Sequence, residues 1–136
     1  MFARFITCRR GVAAVEAAFV FPILIALLIG AIEFSFVLFT NNAMQNAARD
    51  VSRQLAVNYI GLGEVNAAVA DRVPAWAADA AAVSVSQSAP GDPSVNLITV
   101  SVSLPAVDAT PLSLFMPMLG DLTLSTSVTM KQEAPL

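Results

Sequence analysis

RRGVAAVEAAFVFPILIALLIG, residues 9–30, decides how the rest of the chain is read. Two arginines and a glycine lead into a run without charge from Ala17 to Ile32, and residues 34–39 stay apolar beyond Glu33. A bilayer-crossing helix needs about 20 mostly apolar residues, and residues 17–39 supply them with one acidic interruption. The segment reads as a transmembrane helix. Glu16 is then the anomaly, because an ionised carboxylate at the centre of a membrane helix costs roughly 2.5–3.5 kcal/mol on insertion scales.

The flanks give the expected orientation. Arg4, Arg9 and Arg10 precede the span and no acid accompanies them, so the N-terminus is expected on the cytoplasmic side and residues 41–136 outside. That outer part has four basic residues (Arg49, Arg53, Arg72 and Lys131) against eight acidic ones. A net negative domain is a poor match for phosphate backbones, so no nucleic-acid partner is expected. Over the whole chain of 136 residues only 12 % are charged, about half the usual share in globular domains. The one cysteine, Cys8, lies before the span, which leaves the outer part without a disulfide.

Three leaders fit a basic start followed by an apolar run. A cleaved secretory signal has an apolar core of about 7–15 residues and a small-residue site after it; this core is too long, and AIEFSFVLF (31–39) continues it. A plain uncleaved anchor fits the hydropathy and leaves Glu16 without a reason. The third resembles a type IV prepilin leader, which ends in glycine, is cut after it, and has glutamate at the fifth mature position. A cut between Gly11 and Val12 places Glu16 there. The new ammonium at Val12 would lie four residues before Glu16, at the helix end where the dipole and free amides favour a carboxylate. In side-by-side packing Glu16 could pair with a neighbour's ammonium, which would match charge and fix axial register.

The motifs GVAAVE (11–16), FPIL (21–24), GAIEF (30–34) and NAAR (46–49) together resemble the N-terminal region of TadE-like proteins, minor pseudopilins of the tight-adherence (Flp-type) pilus system. The resemblance covers residues 9–53 and departs from the pattern at Ala17, where an aromatic residue usually follows the glutamate. It implies a non-catalytic structural or assembly subunit that is a substrate of a prepilin peptidase. The implied partners are other pilins or pseudopilins, the inner-membrane assembly platform and the membrane itself. The alternative is an uncleaved, membrane-anchored extracytoplasmic interaction domain outside any pilus.

Within the span, Pro22 lacks an amide donor and is expected to shape the helix rather than to carry chemistry. Glu33 follows Glu16 by roughly 26 Å of helix, close to the hydrocarbon thickness of about 30 Å, and is expected at the outer interface. Residues 41–60 keep helical spacing, with Met44, Ala47, Ala48, Val51 and Leu55 on one stripe. One helix is therefore expected from about Val12 to Tyr59, ended by Gly61 and Gly63. EVNAAVADRVPAWAADAAA (64–82) predicts a second helix interrupted near Pro74. Strands are predicted at 83–86, 95–104 and 122–130, with a bulge where the apolar phase shifts between Leu97 and Ile98. Segment 105–120 is too apolar for a free loop and is expected to cap the sheet, the alternative being a contact patch for another subunit or the membrane surface.

The expected fold is α+β: a long N-terminal transmembrane helix running into a small extracytoplasmic domain with a second helix and a three-stranded antiparallel sheet. The expected divisions are a leader (1–11), the span (12–40) and the outer domain (41–136), in a single-pass inner-membrane protein. The outer domain's acids do not pair at catalytic spacing, histidine is absent, and no nucleophile elbow, phosphate loop or Cys/His cluster occurs. No enzyme activity, metal or cofactor is expected.

Overall fold

The structure is a computed structural model that describes residues 9–133. Residues 1–8 of the expected leader, including Arg4 and Cys8, lie outside the described residues. The element order is a helix α1 (Arg9–Ala56), short helices α2 (Val65–Ala70) and α3 (Ala75–Ala78), and strands β1 (Ala82–Gln87), β2 (Leu97–Pro105) and β3 (Thr123–Lys131). Single 3-10 turns lie at Leu62–Glu64, Ala106–Ala109 and Met116–Leu119. The architecture is α+β, as expected. Two compact units divide the chain, the first ending at Ile32 and the second starting at Glu33.

In the first unit α1 is helical from Arg9 and continues through Pro22. The helix is long and apolar enough to cross a membrane, which suggests a membrane anchor. Its large apolar side chains are open all round: Val12, Phe19, Phe21, Ile23, Leu27 and Leu28 are all more than half exposed. A helix apolar on every face is at home in lipid or among other apolar helices.

The second unit begins eight residues earlier than the expected outer domain, because Glu33, Val37 and Thr40 are already buried in it. The predicted stripe of Met44, Ala47, Ala48, Val51 and Leu55 is the buried face of α1 here. Ala47 and Ala48 keep that face thin, and Met44, Val51 and Leu55 share one core with Ile98, Val100, Val102 and Leu104 of β2. Burying each of these larger side chains stabilises the unit by about 1.5–3 kcal/mol before entropy is counted. Ser52 donates its hydroxyl to the Val128 carbonyl at 3.4 Å, linking the helix to β3.

The helix ends before the expected glycines. Asn58 takes the left-handed conformation at φ 57, and Gly61 is extended at φ −87. Tyr59 donates its amide to the Gln54 carbonyl and Asn58 to that of Leu55, the paired bonds of a Schellman cap. Asparagine tolerates this conformation better than most residues, and here its side chain is also bonded: the Gln132 amide donates to Asn58 Oδ1 at 2.7 Å. The second helical segment is interrupted near Pro74 as expected, and forms α2 and α3, parted where Pro74 adopts an extended ψ of 144.

The sheet order is β1-β2-β3, antiparallel throughout. Register runs unbroken from Leu97 opposite Lys131 to Pro105 opposite Thr123, so the expected bulge is not there. The apparent phase shift comes from Asn96, which points inward and is fully buried, with Leu97 outward and Ile98 inward after it. Asn96 is tolerated inside because its amide is satisfied: Oδ1 accepts from the Ala89 amide at 2.9 Å, and Nδ2 donates to Gln132 Oε1 at 2.8 Å. The other sheet face is a field of hydroxyls in register, Ser84–Ser101–Ser127 and Ser86–Thr99–Thr129. The Thr99 and Thr129 hydroxyls lie 2.7 Å apart.

Candidate functional site

Gly11 and Val12 are helical and exposed, and a Cβ built on Gly11 would meet nothing within 4 Å. Glu16 lies one turn further on, also exposed, with no ion pair or side-chain hydrogen bond among the described residues. Pro22 is exposed two turns beyond. These four positions lie within the first turns of an otherwise apolar helix. The chemistry they offer is a single carboxylate awaiting a partner in a helix that has no protein cover within its own unit.

Glu33, expected at the outer interface, has a fully buried side chain within the second unit. Oε2 accepts a hydrogen bond from the Phe115 amide at 2.9 Å, and Oε1 faces the Met116 amide at 3.4 Å. Phe115 and Met116 enter the 3-10 turn Met116–Leu119, whose first amides have no partner within the turn. A carboxylate is a strong acceptor for such donors, so α1 clasps a loop 82 positions away along the chain. Sequence reasoning missed this role although a signal existed. Glu33, Val37, Thr40, Met44, Ala47, Val51 and Leu55 continue one helical stripe, and its first member is the acid.

A second fastening lies beside the first. The Ala109 carbonyl accepts from the Thr40 hydroxyl at 2.7 Å and from Trp76 Nε1 at 3.4 Å. Trp76 meets Phe36 edge-on with ring centroids 5.7 Å apart, and lies 6.3 Å from Phe39. Segment 105–120 therefore caps the core only in part. Ala106, Ala109 and Met116 are buried, whereas Leu112, Leu114, Met118 and Leu119 are exposed.

Elsewhere the charges of this unit do structural work at the surface. Arg72 pairs with Asp50 across 22 residues, and both side chains stay partly exposed. Ser94 donates its hydroxyl and its amide to Asp92, and these bonds hold the Asp92 carboxyl below the usual carboxylate range. Among the described residues no three His, Cys, Asp or Glu side chains gather as a metal site.

The geometry thus defines a class: a chain anchored by one N-terminal apolar helix whose distal half is the spine of a small α+β domain. Over its N-terminal part the chain is similar to TadE-like proteins. The family model described as TadE-like protein matches residues 11–53, about a third of the chain. This match covers Gly11, Glu16, Pro22, Glu33 and most of the buried stripe, and it supports involvement in the tight-adherence pilus system. Members of that family are generally structural rather than catalytic. No curated protein and no solved structure matches the chain.

Proposed function

We propose that this chain is a minor pseudopilin, a non-catalytic assembly subunit of a tight-adherence (Flp-type) pilus. A prepilin peptidase removes residues 1–11, and Val12 becomes the mature N-terminus. The N-terminus faces the cytoplasm and the α+β domain lies on the far side of the inner membrane. Arg4, Arg9 and Arg10 before the span favour that direction.

The observation that carries the reading is the state of residues 12–28. A helix with large apolar side chains exposed on all sides bears a lone exposed carboxylate at Glu16, one turn after the expected cut, inside the TadE-like match. Lipid alone would select against that carboxylate. Neighbouring subunits that pack laterally and each present a Val12 ammonium give it a partner. Other pilins or pseudopilins and the assembly platform are the partners this arrangement suits.

Glu16→Ala and Glu16→Gln test the reading. Both variants should insert and keep the domain folded, because no described residue of the domain depends on Glu16. Crosslinking to the other pilus-system subunits should fall sharply in both, since an amide cannot neutralise an ammonium. Wild-type crosslinking in both variants would leave Glu16 as an edge residue of an ordinary anchor and overturn the proposal.

A further inference from the structure

The surface that neither the core nor the proposed assembly role accounts for is the loop 111–122. Leu112 is 42 % exposed, Leu114 59 %, Leu119 56 % and Met118 81 %. Residues 109–120 carry no charge, and the nearest acids are Asp108 and Asp121. Four exposed large apolar side chains within eight residues of one uncharged loop point to a contact surface.

The patch is held out rather than left unpacked. The loop backbone is fastened at three places: Glu33 takes the Phe115 and Met116 amides, Thr40 and Trp76 take the Ala109 carbonyl, and Ala106 donates to the Leu122 carbonyl at 2.8 Å. Between these points Ser113 sits at φ 35, a region costly for a residue with a Cβ. The leucines and Met118 face outward on a backbone that is fixed.

What covers them follows from the chain itself. Glu33, which binds the loop directly, is the next residue after the uncharged run that ends at Ile32. The loop's Phe115 and Met116 amides are therefore held at the residue that directly follows this uncharged run. The nearby Trp76 is the chain's only tryptophan, is 40 % exposed, and packs edge-on against Phe36 and tilted beside Phe39. Tryptophan is enriched where hydrocarbon meets water, with its ring in the boundary and its N–H bonded. We infer that loop 111–122, with Trp76 beside it, inserts Leu112, Leu114, Met118 and Leu119 into the lipid headgroup and acyl boundary. Glu33 thereby couples the domain to the membrane at a second place. The inference rests on the anchor entering a bilayer and is independent of cleavage or pilus assembly.

The test uses the full chain with Cys8→Ser and one of two single cysteines labelled with the fluorophore NBD, in phosphatidylcholine nanodiscs. Met118→Cys reports on the loop, and Ser127→Cys, on the hydroxyl face of the sheet, serves as the reference. Co-purification with nanodiscs confirms first that the anchor has inserted. At a depth of about 5–10 Å, NBD at position 118 should be reduced by aqueous dithionite about tenfold more slowly than at position 127. It alone should be quenched by lipid carrying a doxyl group at acyl carbon 5. Equal reduction at both positions would overturn the inference. So would protection at 118 without doxyl quenching, which would assign the patch to a protein partner such as a second copy. Leu114→Cys, also at an exposed position, repeats the measurement should the Met118 variant misfold.

Discussion

Removing the Glu33 carboxylate is the sharpest perturbation of the domain. Glu33→Ala deletes the acceptor for the Phe115 amide at 2.9 Å and for the Met116 amide at 3.4 Å. The first has good geometry, and a hydrogen bond to a charged group contributes about 1.5–3 kcal/mol. The second is longer than the usual range of about 2.7–3.2 Å and contributes less. Against these gains stands the desolvation of a buried carboxylate, which the substitution relieves. The net loss should be about 1–3 kcal/mol, a sizeable part of the roughly 5–15 kcal/mol that holds a typical domain together. Glu33→Gln keeps one acceptor oxygen but turns an NH2 group toward the other amide, so its loss should be smaller. The assay is urea unfolding of the detergent-solubilised full chain, followed by Trp76 fluorescence and paired with hydrogen exchange. The Phe115 and Met116 amides should exchange on the order of tenfold faster or more in the alanine variant, with the glutamine variant between. Unchanged midpoint and unchanged exchange at both amides in Glu33→Ala would show that the clasp is not energetically real.

Other outcomes follow from the same geometry. Leu104→Ala should cost about 2–5 kcal/mol in the same unfolding assay, because the side chain is fully buried and its neighbours on β2 cannot close the cavity. A fragment of residues 33–136 should melt cooperatively by circular dichroism. One starting at Asn41 should melt at lower denaturant, since it lacks the buried Glu33, Val37 and Thr40. A non-cooperative melt of the longer fragment would count against an autonomous second unit.

Much of this fold was legible because its decisive signals are local. The apolar run and the stripe from Met44 to Leu55 repeat at helical spacing, and the strand segments alternate, so the α+β order could be read directly. What escaped was set by distant or polar partners. Glu33 reads as a boundary residue until amides from residues 115 and 116 are placed against it. Asn96 breaks the apolar alternation and mimics a bulge, although it occupies a regular inward position once Gln132 and Ala89 satisfy it. Asn58 stops α1 ahead of two glycines that look like better stops, because Gln132 stabilises the asparagine's side chain there. At the candidate site, the proposal for Gly11, Val12 and Glu16 rests on their spacing in the sequence. The burial of Glu33 needed the fold.

The most direct test of the proposed function is the mature N-terminal residue, found by mass spectrometry of membrane-extracted protein from cells that have the pilus system and its peptidase. The expected result is a chain that begins at Val12, with Gly11→Val leaving the precursor uncut. A wild-type chain that keeps residues 1–11 intact in those cells would contradict the pseudopilin reading and leave an uncleaved membrane anchor in its place.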